Sequence, residues 1–353
     1  VGYMSMYTQT AGANNNTALG YKSLFTNVTS DQNVAVGYGA LESHTGGVSA
    51  PYSYATAVGY QALNDNTDGE NNTALGYRAL KLNTTGDRNI GIGDGALDAA
   101  DTENDNIAIG YNALGGAING GEFNVAIGNN ALDSNTSGDD NISIGYNALT
   151  SNSTGAVNVA IGKNALDANT EGGSNTAIGW NALSANSTSN NNTAVGRQAL
   201  GASTGASNTA MGYRAGDVIT TGSNNVVIGA TADASVDTAQ NQIVIGYGAT
   251  GTGNNEIALG NTSISAIKAQ VTSITAYSDR RIKREINNSK IGLDFIMKLR
   301  PVSYKMKNPA DYPDEILEDR FRGDSTSGPN DDGIDQRPAD DETIYDGLIA
   351  QEV

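Results

Sequence analysis

"DNISIGYNAL" occupies residues 140–149, and near-copies stand at 71–80 (NNTALGYRAL), 105–114 (DNIAIGYNAL) and 174–183 (SNTAIGWNAL). Aligned on the central glycine, the unit recurs at Gly2, Gly20, Gly37, Gly59, Gly76, Gly93, Gly110, Gly128, Gly145, Gly162, Gly179, Gly196, Gly212, Gly229, Gly246 and Gly260. Most intervals are 17 or 18 residues; one is 22, one is 16 and the last is 14. A fixed period of this size marks units that cannot bury a core alone and must stack on their neighbours.

Each position of the unit has a physical reading. The residue before the glycine is aliphatic (Leu19, Val36, Ile109, Ile161, Met211), and the one three before is Thr, Val or Ile (Thr17, Val34, Ile107, Val159). These β-formers share one face of a strand. Between them stands a small residue: alanine in eleven of fifteen complete units, otherwise Gly91, Ser143, Val227 or Val244. Four before the glycine, asparagine occurs in twelve of fifteen, which predicts a ladder bonding along the stack. The glycine suits a corner with positive φ. Tyr or Trp often follows it, then an Ala-Leu pair in ten consecutive units from Ala40-Leu41 to Ala199-Leu200. The remainder is turn chemistry, rich in Asn, Thr, Ser, Asp and Gly.

The expected fold class is mostly β: a parallel β-solenoid of about 17-residue coils, each with two short strands and two turns, over residues 1–260. At one strand spacing per coil the rod is roughly 70 Å long. Two readings of the alanine face stand open. It packs against other copies, most simply in a parallel homotrimer, or it lines the thin core of a single solenoid.

Composition narrows the function. The chain has 353 residues, a formal net charge of −18, one histidine and no cysteine. This acidic balance opposes nucleic-acid and anionic-membrane binding. Thiolate zinc sites, two-histidine metal sites and disulfides are excluded. No apolar run approaches the ~20 residues of a membrane helix. No cofactor or metal is expected. "DNTDGEN" (65–71) and "NTSGDDN" (135–141) offer oxygen ligands for calcium, but solvated turns fit them better. His44 lies in the 22-residue unit with Tyr52 and Tyr54, either in an outward loop for a receptor or in a tolerated insertion. The opening "VGYMSMY" and the closing "GLIAQEV" both read as cut from longer patterns.

After Gly260 the repeat stops. Residues 261–277 alternate Ile and Val with polar residues and read as a β neck. Residues 268–307 then carry ten Lys/Arg against three Asp/Glu. Leu293, Ile296, Met297 and Leu299 fit a helix ended by Pro301, and "VSYKM" (302–306) fits a strand. Residues 308–346, with thirteen acids and three arginines, read as a long polar excursion, and "GLIAQEV" (347–353) returns to an apolar strand. Within "AYSDRRIKREI" (276–286), the basic cluster read alone is a solvated strand end or a charge patch; a nucleic-acid patch fits least, lacking interleaved aromatics.

Two resemblances follow. The "NxAIG" units resemble the head repeats of trimeric autotransporter adhesins and repeats of bacteriophage tail fibres. "SDRRIK" (278–283), "GLDFIMKLRPVSYKMK" (292–307) and "GLIAQEV" (347–353), in that order, resemble the endosialidase-type intramolecular chaperone auto-processing domain. This second resemblance implies a small α+β chaperone domain over 278–353 that aligns three chains and then releases itself with a Ser-Lys dyad. Carried onto this chain, Ser278 is the nucleophile, Lys283 the base, and Tyr277–Ser278 the bond cut. The chemistry is coherent: serine needs a base, and Arg280, Arg281 and Arg284 crowd Lys283 with like charge that lowers its pKa.

The implied whole is a homotrimeric fibre or spike segment of a virion tail. Its expected partners are other tail proteins and a host surface receptor, with a glycan as one candidate, and no nucleic acid and no membrane insertion. It is a peptidase acting once on itself rather than a turnover enzyme. A bacterial surface adhesin is the alternative; a glycan-degrading spike ranks lower, because a regular repeat offers no unique carboxylate pair.

Overall fold

A computed structural model of the chain describes residues 1–9, 13–45 and 53–266, together with the backbone of Pro301–Lys305 and Ile344–Leu348. The chain divides into two compact units, Val1–Lys268 and Ala269–Val353.

The first unit is a parallel β-solenoid. Fifteen three-residue strands, from β1 (Thr17–Leu19) to β15 (Ile257–Leu259), form one sheet in sequence order. Each strand pairs in parallel with the equivalent strand of the next coil, so that Ala160 lies opposite Ala177 and Ile161 opposite Ile178. Among the described residues there is no helix, and each coil has one strand rather than the two expected. The rest of the coil is turns whose backbone hydrogen bonds run to the next coil, as from the Leu166 N–H to the Ala182 carbonyl at 3.0 Å. A second strand is not needed once each turn amide is satisfied by its counterpart one coil on.

The two faces of the strand are the reverse of the copy-packing reading. The central alanine points inward: Ala35, Ala57, Ala74, Ala108, Ala126, Ala160, Ala177, Ala194 and Ala210 have no exposed surface in the single chain. They meet the Ala-Leu pair of the opposite wall, where Leu41 through Leu200 are equally buried. The reason is volume. A coil of this length encloses room for about one leucine, so the facing strand position must be small. A Cβ on Gly91 would stand 3.1 Å from Leu80 Cγ. At Ser143 the hydroxyl is accommodated by donating to the Ala148 carbonyl at 2.7 Å. The inward alanines are therefore the thin core of one solenoid, and they give no contact to another copy.

The corner glycines have one clear cause. Gly110 has φ +138°, and a Cβ there would stand 2.6 Å from the Gly128 carbonyl oxygen of the next coil. The turn after the corner stores strain in non-glycine residues: Asn164 and Leu166 both have φ of 54°. A leucine in the left-handed region costs roughly 1–2 kcal/mol. Burial of its side chain and its inter-coil hydrogen bond offset that cost.

The asparagine ladder forms as expected. From Asn89 to Gln242 each backbone N–H in the column donates to the side-chain oxygen one coil earlier, as from Asn158 to Asn141 Oδ1 at 3.0 Å and Asn225 to Asn208 Oδ1 at 3.1 Å. The amide nitrogens also donate to turn carbonyls, as Asn158 Nδ2 to the Gly172 oxygen at 2.8 Å. A second buried column runs three residues after the core leucine: Asn152 Nδ2 donates to Asn135 Oδ1 at 3.0 Å and Asn169 Nδ2 to Asn152 Oδ1 at 2.8 Å. Both columns converge on one carbonyl per coil. Gly172 oxygen accepts from Asn158 and, at 2.9 Å, from Asn169.

Candidate functional site

Tyr277, Ser278 and Lys283 lie outside the described residues, as do the basic cluster around them and the helix expected near 293–299. Two flanking motifs do meet in the backbone. β16 (Pro301–Lys305) pairs antiparallel with β17 (Ile344–Leu348), with Tyr304 opposite Tyr345 and Pro301 opposite Leu348. Proline, lacking an N–H, fits the end position of the strand. The expected strand at 302–306 is thus present, one residue earlier at each end. The final strand falls at Ile344–Leu348 rather than within 347–353, and the acidic excursion connects the two strands of this pair.

On the solenoid, two surfaces face outward. The first is the sheet itself. The residues flanking each inward alanine are half-buried or exposed in all fifteen strands; Leu19, Leu75 and Met211 are 51, 47 and 49% exposed. The second is the row just after the corner glycine. Tyr3, Tyr21, Tyr38, Tyr60 and Tyr77 stack with centroids 5.8, 5.0, 5.1 and 5.3 Å apart. Further along, cations alternate with rings in the same row. Lys163 lies 5.6 Å from the Tyr146 ring, and Arg197 lies 4.3 Å from Trp180 and 5.5 Å from Tyr213. In the tyrosine run the rings cover one another's faces and present their edges outward.

His44 does not project. It is fully buried and occupies the second asparagine column, a place the sequence reading assigned to an insertion loop. Its Nδ1 accepts from Asn66 Nδ2 at 3.0 Å, so the ring proton sits on Nε2, 2.9 Å from both Ser30 Oγ and Ser53 Oγ. Ser30 in turn donates to Ser53 at 2.8 Å, and Ser53 to Asn33 Oδ1. Burial pushes the His44 pKa down to about 4. This serine–histidine contact has no access to solvent and acts as a structural knot. Tyr54 beside the insertion is exposed, while residues 46–52, including Tyr52, lie outside the described residues.

The acidic turns hold the stack together. Asp139 Oδ1 accepts the Glu122 N–H at 2.9 Å, and Asp87 Oδ1 the Glu70 N–H at 2.8 Å. No group of three or more metal-type side chains gathers among the described residues. One carboxylate pair does come together, contrary to the expectation of no unique pair. Burial, together with a hydrogen bond that protonated Asp233 donates to the neighbouring Asp217 carboxylate, raises the Asp233 pKa to about 7. Asp217 also lines a small groove with Asn181, Ser184, Gln198, Gly201 and Ala202, and pairs with Arg214.

The second asparagine column, the Asp217–Asp233 pair and the outward aliphatic face are the features that sequence reasoning missed or misplaced. The column had a signal. Asparagine follows the core leucine by three in Leu63–Asn66, Leu80–Asn83, Leu132–Asn135, Leu149–Asn152, Leu166–Asn169 and Leu183–Asn186, but reads as ordinary turn composition.

Residues 278–353 match the family described as the chaperone of endosialidase. No curated protein matches the chain. A β-solenoid followed by a segment that matches this family fits a structural role like that of a phage tail fibre.

Proposed function

We propose that this chain is a segment of a homotrimeric tail fibre or spike that serves host attachment, with residues 278–353 as a chaperone that aligns three copies and then cuts itself free. The observation that carries the reading is the order of parts: a solenoid of fifteen strands, then a stretch matching the chaperone of endosialidase. Residues 1–260 form the shaft in this reading, 261–277 the neck, and 278–353 the removable domain. Other tail proteins and a host receptor are its further partners, and the virion is its place of work.

The cleavage chemistry uses only this chain's residues. Neutral Lys283 takes the proton of Ser278 Oγ, which attacks the Tyr277 carbonyl carbon. The Tyr277–Ser278 C–N bond breaks as the Ser278 nitrogen takes up a proton. Water then hydrolyses the Tyr277 ester and regenerates the Ser278 hydroxyl. Five positions along a helix or a strand do not put two side chains on one face, so the dyad needs a turn or a lysine from a neighbouring copy. The second arrangement would make release wait for assembly.

The test is a denaturing gel of the purified full chain, with mass measurement of each fragment. Cleavage yields a fragment beginning at Ser278. Ser278→Ala and Lys283→Ala are each expected to leave the chain intact. A variant that still cuts at this bond removes the dyad from the mechanism, and an uncut monomeric wild type overturns the whole reading.

A further inference from the structure

We infer that the outward face of the fifteen-stranded sheet is the surface on which two further copies of this chain seat, parallel and in register. The inference rests on the trimer reading above and names the surface that reading needs.

The face is apolar along its whole length. Its thirty outward strand positions, from Thr17 and Leu19 to Ile257 and Leu259, comprise 24 aliphatic residues and six threonines, with no charged side chain. This occurs in a chain of net charge −18, and the acids of the described solenoid lie outside its strands. Parallel sheets are ordinarily covered on both faces. Here the inner face is covered by the Ala-Leu wall, and among the described residues the outer one is left half-buried or exposed in every strand.

Its size fits an interface. Fifteen strands at ~4.8 Å and three residues of ~3.3 Å give a face of roughly 70 by 10 Å, or about 700 Å². Divided between two neighbours it gives about 350 Å² per contact, less than the ~800 Å² a partner gives to a standard pairwise interface, so the assembly holds only when all three copies close together. The whole face exceeds the roughly 300–600 Å² of the largest apolar patch on a typical monomer.

Its periodicity selects the occupant. A globular partner would cover a few coils and leave the rest wet. A helix repeats every ~5.4 Å and loses step with a ~4.8 Å row within a few turns. A second sheet with the same coil spacing keeps step from end to end, and this chain supplies one. Parallel alignment sets each coil against its own copy and leaves all C-terminal segments at one end, where the chaperone reading needs them.

The chain has no cysteine, so single cysteines report the contact cleanly. Met211→Cys, in the twelfth strand of the sheet, is expected to form a disulfide-linked dimer of chains on mild oxidation of the full-length protein. Glu171→Cys, on an exposed turn, is expected to give none. An antiparallel arrangement would set the twelfth strand against the fourth and leave Met211→Cys unlinked. Ile161→Lys is expected to convert trimer to monomer by light scattering, with an unchanged circular dichroism spectrum because the side chain points out of the coil. A trimer that resists Ile161→Lys and leaves Met211→Cys unlinked overturns this surface while the trimer reading stands. A wild type that is monomeric in full length overturns both.

Discussion

The inside and the outside of a coil follow opposite rules. Inside, Ala160, Leu166, Asn158 and Asn169 meet the same residue types in the next coil, and each is fully buried. Outside, the sheet face admits Thr, Val, Ile, Leu and Met in turn, and the corner row admits Tyr, Trp, Lys, Arg, Asp or Asn. The difference shows what limits a coil of this length. Its interior volume is fixed by the chain that encloses it, so inner positions vary little. The outer surface is limited only by solubility and by what must bind there.

Three substitutions would break or sharpen this contrast. Leu166→Ala, which empties the inner wall of one coil, is expected to cost about 2–5 kcal/mol, measured by denaturant unfolding. The cost should be local at first, with hydrogen-exchange protection falling in the neighbouring coils before distant ones.

The second concerns the one inner side chain that titrates near neutrality. In the folded chain His44 has a pKa of about 4, below the ordinary 6.5. The stability it permits is full above pH ~6.5 and falls as pH drops toward 4, because the unfolded chain takes up the proton first. The whole shift corresponds to about 3 kcal/mol. His44→Asn restores the residue of its column and should remove this loss between pH 6.5 and 4, read as the difference from wild type in urea midpoints at stepped pH. A profile unchanged by the substitution would remove His44 as the cause.

The smallest effect belongs to the outside. Arg197→Ala removes a cation from between Trp180 and Tyr213 and is expected to cost about 0.5–1 kcal/mol, reduced further by salt. A loss as large as that of Leu166→Ala would mean that the corner row supports the fold as the core does.

The period of the repeat, the corner glycine and the first asparagine column were legible because each is a local rule applied many times over. Gly110 must be glycine for its φ and for the carbonyl beside it, and the sequence repeats that demand in every unit. The left-handed leucines were not legible, since nothing local favours φ of 54° for Leu166. Only its burial and its bond to the next coil hold it there. The burial of His44 was hidden for a related reason: its column is filled by asparagine in other coils, and a histidine between Ser43 and Thr45 looks like a loop.

Alternation along Val159, Ala160 and Ile161 determined by itself that the first and third share a face and the second has the other. It did not determine which face looks inward, and the usual expectation, larger residues inside, fails here. Only the closed coil decided that. In most coils the chain returns to lay one leucine across the strand, and the space left between them suits a small side chain such as alanine or, at Ser143, serine. The aliphatic residues are therefore outside, on the face where we propose that further copies seat.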